Sequence, residues 1–117
     1  MIRFKTPDLE IEFNDSKLSG RVRVMLLALD GFMWWKFNRG IMITSLFRSG
    51  DTGVHGRWRG ADIRTKDWSA LEAKTAEAWI NKYFKYDQER PGLPSALYHN
   101  VGQGEHLHLQ SMPGDSW

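Results

Sequence analysis

Hydrophobic and polar positions follow two different periods in the first part of the chain. Leu9, Ile11 and Phe13 alternate with Glu10 and Glu12, which is the period-2 pattern of a half-buried strand. Beyond residues 14–16, apolar residues recur at helical spacing as far as residues 34–35: Leu18, Val22, Met25, Leu26, Leu29 and Met33. The pattern predicts an opening strand or hairpin and then a long amphipathic helix that ends at residues 38–40.

The middle of the chain combines a buried segment, a glycine-containing loop and a second helix. Ile41 to Phe47 is nearly continuously apolar, which predicts a buried strand. Arg48 to Gly60 has the composition of a loop, where chemistry often lies. Ser69 and Glu72 have the spacing of a capping box, so we expect a second helix to begin there and to end near Asp87.

The last part of the chain predicts a hairpin and completes the fold class. Residues 96–101 and 106–110 have the character of strands, and residues 102–104 form a glycine-containing turn between them. Two main helices with four or five strands predict an α+β fold built on a small antiparallel sheet. A length of 117 residues predicts a single domain, with the chemistry in about 41–111 and a loose tail at 112–117.

Composition excludes several classes of function and leaves others. Sixteen basic against fourteen acidic residues give a net charge of only +2, and the charges are scattered, so nucleic acid is not the expected partner. The chain has no cysteine, so any metal site must use histidine and carboxylate ligands. Met1 to Lys5 lacks a signal core and no stretch has the length of a membrane span, so we expect cytoplasmic synthesis and no integral membrane segment.

His55 and Asp62 are the first candidate pair of metal ligands. They are seven positions apart, which corresponds to about 23 Å along a straight strand or about 10 Å along a helix. The chain must therefore turn between them if both bind one ion. Gly56 and Gly60 are the residues that permit such a turn.

His106 and His108 are the second candidate pair. On a strand they project from the same face, whereas Leu107 and Leu109 enter the core on the other. Such a pair also occurs as ordinary surface or core histidines. The pattern gains meaning only in combination with the first pair.

Two imidazoles and one carboxylate from His55, Asp62 and His108 form a ligand set that suits zinc and leaves one position for water. Glu105 is a candidate general base for that water. On an unbroken strand, however, Glu105 and His108 point to opposite faces. If the turn at 102–104 does not displace Glu105, His106 is the better candidate for the base or the transition-state partner.

Three segments resemble the motifs of the zinc D-alanyl-D-alanine carboxypeptidase family, which includes phage endolysins and vancomycin-resistance dipeptidases. They are Phe47-Arg48-Ser49, residues 54–63 (VHGRWRGADI) and residues 104–109 (GEHLHL). The resemblance implies a hedgehog/D-Ala-D-Ala carboxypeptidase-like fold. It also implies that His55, Asp62 and His108 bind Zn²⁺, that Glu105 is the general base and that Arg48 steadies the substrate or the oxyanion.

Three positions near the first histidine depart from the family pattern. Gly53, Trp58 and Gly60 stand where the family usually has serine, glycine and alanine. We expect Trp58 to reshape this loop and to change substrate specificity more than metal binding. His99 is expected on the strand that faces His106 and His108, where it either orients a ligand or is an ordinary polar strand residue.

The resemblance implies a zinc metallopeptidase whose substrate is a peptidoglycan stem peptide. The expected reaction is of the D,D-carboxypeptidase or the L-alanyl-D-glutamate endopeptidase type. The expected protein is a monomeric phage or prophage lysis protein that acts on the cell wall after release. The alternatives are a non-catalytic wall-binding or virion-associated relative that keeps the fold and a metal-dependent nuclease, which the modest charge disfavours.

Overall fold

The computed structural model describes residues 1–100 and 104–113, and this part of the chain has an α+β architecture with three α-helices and five strands. The predicted fold class is confirmed at this level. In chain order the elements are β1 (Arg3–Phe4), α1 (Pro7–Phe13), α2 (Gly20–Phe37), β2 (Met42–Ser45), β3 (Gly60–Arg64), α3 (Ala70–Tyr83), β4 (Ala96–Asn100) and β5 (Glu105–Gln110). A short 3-10 turn, His55–Arg57, lies between β2 and β3.

The five strands form one sheet in the order β1-β2-β3-β5-β4. The predicted small antiparallel sheet is instead mixed, because β1 and β2 are parallel, whereas the other neighbouring pairs are antiparallel. Both α1 and α2 lie between β1 and β2 along the chain, so the connection is long enough for a parallel pair. The predicted hairpin of β4 and β5 is confirmed, with Tyr98 opposite Leu107.

The segment expected to be the opening strand is instead helix α1. Its buried residues are Leu9 and Phe13, four positions apart, whereas Ile11 is 69% exposed. A spacing of four fits one face of a helix as well as alternate positions of a strand, so only Ile11 distinguishes the two patterns. Pro7 at the first turn and the acidic Asp8 and Glu10 beside it favour a helix start at this point.

The two longer helices begin and end at residues with clear capping roles. Ser19 accepts a hydrogen bond from the Val22 backbone N–H at the start of α2, and Asn38 ends that helix in the left-handed conformation. The predicted end at residues 38–40 is therefore confirmed. Ser69 and Glu72 form the predicted capping box at the start of α3.

Alternation along β3 and β5 separates a core face from the face that carries the candidate ligands. Ala61, Ile63, Leu107 and Leu109 are fully buried in the cluster that also contains the apolar face of α2. Burial of each large aliphatic side chain contributes about 1.5–3 kcal/mol. The intervening residues of the two strands emerge on the opposite face of the sheet, and they include the candidate ligands Asp62 and His108.

Three sequence predictions concern the membrane and the ends of elements. None of the helices in residues 1–100 and 104–113 is long and apolar enough to cross a bilayer. Val101, the predicted last residue of the first hairpin strand, lies outside the described residues. The same is true of residues 114–117, most of the predicted tail.

Candidate metal centre

Strand pairing brings Asp62 and His108 together. In the antiparallel register of β3 and β5, Asp62 lies opposite His108, and Arg64 lies opposite His106. Side chains directly opposite one another on one face of such a pair are near neighbours. The sheet therefore places His108, not His106, directly across from the carboxylate.

His55 reaches the same place through a compact turn that follows the loop after β2. A Cβ atom on Gly56 would lie 1.7 Å from the Asp51 carbonyl oxygen, so the close approach of the loop to itself requires glycine. A Cβ on Gly60 would lie 2.7 Å from Val54 Cγ2 and 3.4 Å from ring atoms of His55 and His108. The turn expected between His55 and Asp62 is present, and both glycines lie at crowded points of it.

Trp58 completes the turn in a conformation that favours glycine. Its φ is 59° and its ψ is 30°, which is left-handed backbone and costs a residue with a side chain about 1–2 kcal/mol. The indole ring stacks on Phe47 at a centroid distance of 4.5 Å, and the Lys17 ammonium lies 5.4 Å from its centre. These contacts offset the backbone cost and connect the turn to the rest of the domain.

The ligand atoms of His55, Asp62 and His108 all lie within 4.8 Å of one another. His55 Nε2 is 3.2 Å from Asp62 Oδ1, and His108 Nδ1 is 2.9 Å from the same oxygen. Two ligands of a tetrahedral zinc ion, bound at about 2.0–2.2 Å, are about 3.3 Å apart. The observed separations fit a small ion bound by all three residues.

The outer nitrogens of both rings face oxygen atoms that fix the ring protons. His55 Nδ1 lies 2.6 Å from the Leu46 carbonyl oxygen, which can only accept, so Nδ1–H donates. Gln110 donates its amide N–H to the Pro94 carbonyl at 2.9 Å, and this turns Oε1 toward His108 Nε2 at 3.1 Å. His108 Nε2–H is therefore a donor as well.

As a consequence, the inner nitrogens of two neutral rings would both present lone pairs to Asp62 Oδ1. Without a cation between them, these three atoms repel one another. Protonating both inner nitrogens would instead place two imidazolium rings around one buried carboxylate that already contacts Arg48, which is an unfavourable concentration of positive charge. A divalent metal ion bound here would satisfy all three atoms while both rings stay neutral.

Asp62 is held in its ionised form by its surroundings. Burial alone would raise the pKa of Asp62, but when the facing nitrogens of His108 and His55 carry protons, their hydrogen bonds outweigh burial and hold the pKa well below its usual range. Arg48 Nη2 donates to Oδ2 at 2.6 Å and Arg48 Nε donates to Ser45 Oγ at 3.1 Å. Arg48 thus holds one carboxylate oxygen and leaves Oδ1 to face the two histidines.

His106 lies beside this group without being part of it. Its Nε2 is 3.9 Å from Asp62 Oδ1, and its ring is tilted against the His99 ring at a centroid distance of 5.1 Å. The His99 ring also lies 6.3 Å from the His108 ring, as expected for a residue on the neighbouring strand. His106 is thus close enough to act on a molecule bound at the centre.

Glu105 is the first residue of β5, and its strand is continuous from there to Gln110. Alternation directs its side chain away from the face that carries His106 and His108. The Tyr98 hydroxyl donates a hydrogen bond to the Glu105 carboxylate, and this contact raises the pKa of Tyr98. The strand alternation is therefore intact from Glu105 onward, and the described ligand group does not include this residue.

An open cleft of about 530 Å³ adjoins the candidate metal centre. Asp62 and Arg48 line one part of it, and Glu105 and His106 line another. Because the side chains of Arg48 and the neighbouring lysines are exposed, the cleft opens to solvent. A molecule in this cleft could contact both Arg48 and His106 while it reaches Asp62.

Sequence reasoning missed two groups that orient the ligands. Gln110 continues the alternation of His106 and His108 along β5, and that spacing was the available signal. The Leu46 carbonyl gave no signal, because a backbone oxygen carries no sequence identity.

Comparison with protein-family models, with curated proteins and with solved structures found no match for this chain. The resemblance described above therefore rests on the three motifs.

Proposed function

We propose that the chain is a zinc-dependent peptidase that hydrolyses peptidoglycan stem peptides and has a hedgehog/D-Ala-D-Ala carboxypeptidase-like fold. The observation that carries the proposal is the convergence of two imidazole nitrogens on one buried carboxylate oxygen, at His55, His108 and Asp62. Two histidines and one carboxylate leave one position of a tetrahedral ion open, as catalytic sites require.

Zinc at this centre would polarise the scissile carbonyl and activate a water molecule at neutral pH. Arg48 lies beside Asp62 and lines the cleft, so its guanidinium can stabilise the negative charge that develops on the carbonyl oxygen. The geometry favours His106 as the proton-transfer partner, because its side chain lies on the same face of the sheet as Asp62. The Glu105 carboxylate instead accepts a hydrogen bond from the Tyr98 hydroxyl.

The substrate class comes from the resemblance to wall peptidases, and the cleft is compatible with it. A cleft with exposed walls at Arg48 accepts a peptide that remains attached to a polymer. In this proposal the protein acts on the cell wall as a phage or prophage lysis protein. The reaction is of the D,D-carboxypeptidase or the L-alanyl-D-glutamate endopeptidase type.

Mass spectrometry of the products from purified peptidoglycan tests the proposal. The protein is assayed after treatment with a chelator and again after addition of zinc, with His108→Ala as the ligand variant and His99→Ala as its control. We expect peptide products only with zinc, and only from the wild type and the control. Wall binding without products would instead identify a non-catalytic wall-binding relative, and cleavage of nucleic acid in a parallel assay would identify a nuclease.

A further inference from the structure

The cleft carries positive charge beyond what the proposed chemistry uses. Four cationic residues line it, Lys5, Arg48, Arg64 and Lys66, and its acidic lining residues are Asp62 and Glu105, whose carboxylate is hydrogen-bonded to Tyr98. Arg48 is paired with Asp62. The other three cations come from β3, from the residue just beyond β1 and from the segment after β3, and all three line the same cleft.

The positive charges of these three side chains have few acidic partners within the protein. Within residues 1–100 and 104–113, the side-chain ammonium groups of Lys5 and Lys66 have no hydrogen bond or ion pair, and both residues are exposed. Arg64 has one acidic neighbour, Asp67, at 3.5 Å, and the Asp67 side chain is itself 66% exposed. Their charge is therefore available to a bound molecule.

The positions of Arg64 and Lys66 along the chain set how far their charges lie from the candidate metal centre. Arg64 follows Asp62 by two residues on the same face of β3, so their Cα atoms are about 7 Å apart. Lys66 lies two residues farther along the chain. An extended peptide advances about 3.3 Å per residue, so Arg64 and Lys66 lie within reach of a group one or two residues from the scissile bond.

We propose that Arg64 and Lys66, with Lys5, form a subsite that binds a free carboxylate of the substrate one or two residues from the bond that is cut. The inference rests on the proposed function, because it assigns the substrate orientation at the same centre. With this subsite, the protein should prefer substrates that carry an ionised carboxylate at this position over the same substrates with an amide there. A guanidinium and an ammonium together suit a carboxylate through charge-assisted hydrogen bonds.

The test uses soluble stem peptides from purified peptidoglycan, untreated and after conversion of their carboxylates to amides. The variant is Arg64→Gln/Lys66→Gln, and the control is Lys74→Gln, an exposed lysine on α3. Wild type and control should cleave untreated peptides about 5- to 20-fold faster, in kcat/KM, than amidated ones. The double variant should lose this preference by slowing on untreated peptides alone, and high salt should reduce the preference in the wild type.

Equal rates of the wild type on both peptide pools would overturn the subsite, as would an equal loss by the double variant on both pools. Calorimetric binding of the same pools separates the subsite from hydrolysis. If no peptide is cleaved, tighter binding of the untreated pool that the double variant abolishes supports the subsite and rejects only the peptidase activity. Equal binding of the two pools by the wild type rejects the subsite.

Discussion

Replacing Gln110 by leucine tests how the protein controls the proton on His108. The Gln110 amide is fixed by its hydrogen bond to the Pro94 carbonyl, and its oxygen accepts from His108 Nε2 at 3.1 Å. Leucine has a similar size but offers no acceptor, so the ring loses the contact that keeps the lone pair on Nδ1. Loss of such an orienting group typically lowers metal affinity 10- to 100-fold, or about 1.4–2.8 kcal/mol.

The assay is competition for zinc with a fluorescent chelator at constant pH, and Gln110→Glu is the matched control. Glutamate keeps an oxygen acceptor for His108 while it removes the N–H donated to Pro94, so zinc affinity should stay within about threefold of the wild type. Urea unfolding of both variants separates a loss of folding stability from a loss of affinity. Zinc affinity unchanged in Gln110→Leu would refute the assignment of the His108 proton to Nε2.

Three further predictions concern the proton-transfer group and the turn that carries His55. His106→Gln should keep zinc and lower kcat about 100-fold or more, whereas Glu105→Gln should lower it less than tenfold; steady-state kinetics showing the reverse order would return the base role to Glu105. Trp58→Gly should lower the free energy of unfolding by about 1–3 kcal/mol, because the lost aromatic contacts exceed the relieved backbone cost, and urea denaturation showing a more stable variant would contradict this. Gly56→Ala should cost about 1–3 kcal/mol and weaken zinc binding, because its Cβ would overlap a loop carbonyl. Gly31→Ala, with open space around its Cβ, is the control for that denaturation experiment and should be neutral or slightly stabilising.

The sequence predicted the elements whose signals are local. The capping box of α3 and the hairpin of β4 and β5 depend on a few adjacent residues, and both are present. Helix α1 was misread because Leu9 and Phe13 satisfy both periods, and the exposure of Ile11 depends on packing. The parallel pairing of β1 with β2 could not be predicted from the sequence, since it depends on the path of two intervening helices.

The site was predictable to the extent that its residues follow strand alternation. That rule placed His108 on the face of Asp62 and warned that Glu105 would point the other way. The left-handed backbone of Trp58 was not predicted, because tryptophan rarely adopts it and only the contacts of its ring compensate. The cationic cleft was missed for a different reason. Arg64 and Lys66 line the same cleft as Lys5 only once the strands are ordered in the sheet.

The central claim is that His55, Asp62 and His108 bind one zinc ion. Its most direct test is the zinc-to-protein ratio, measured by elemental analysis after zinc loading and extensive dialysis. We expect about one zinc per chain for the wild type and for His99→Ala, and less than about 0.1 for His108→Ala, since loss of one of three protein ligands leaves too few for stable binding. A wild type that retains no zinc, or a His108→Ala variant that retains a full equivalent, would contradict the account.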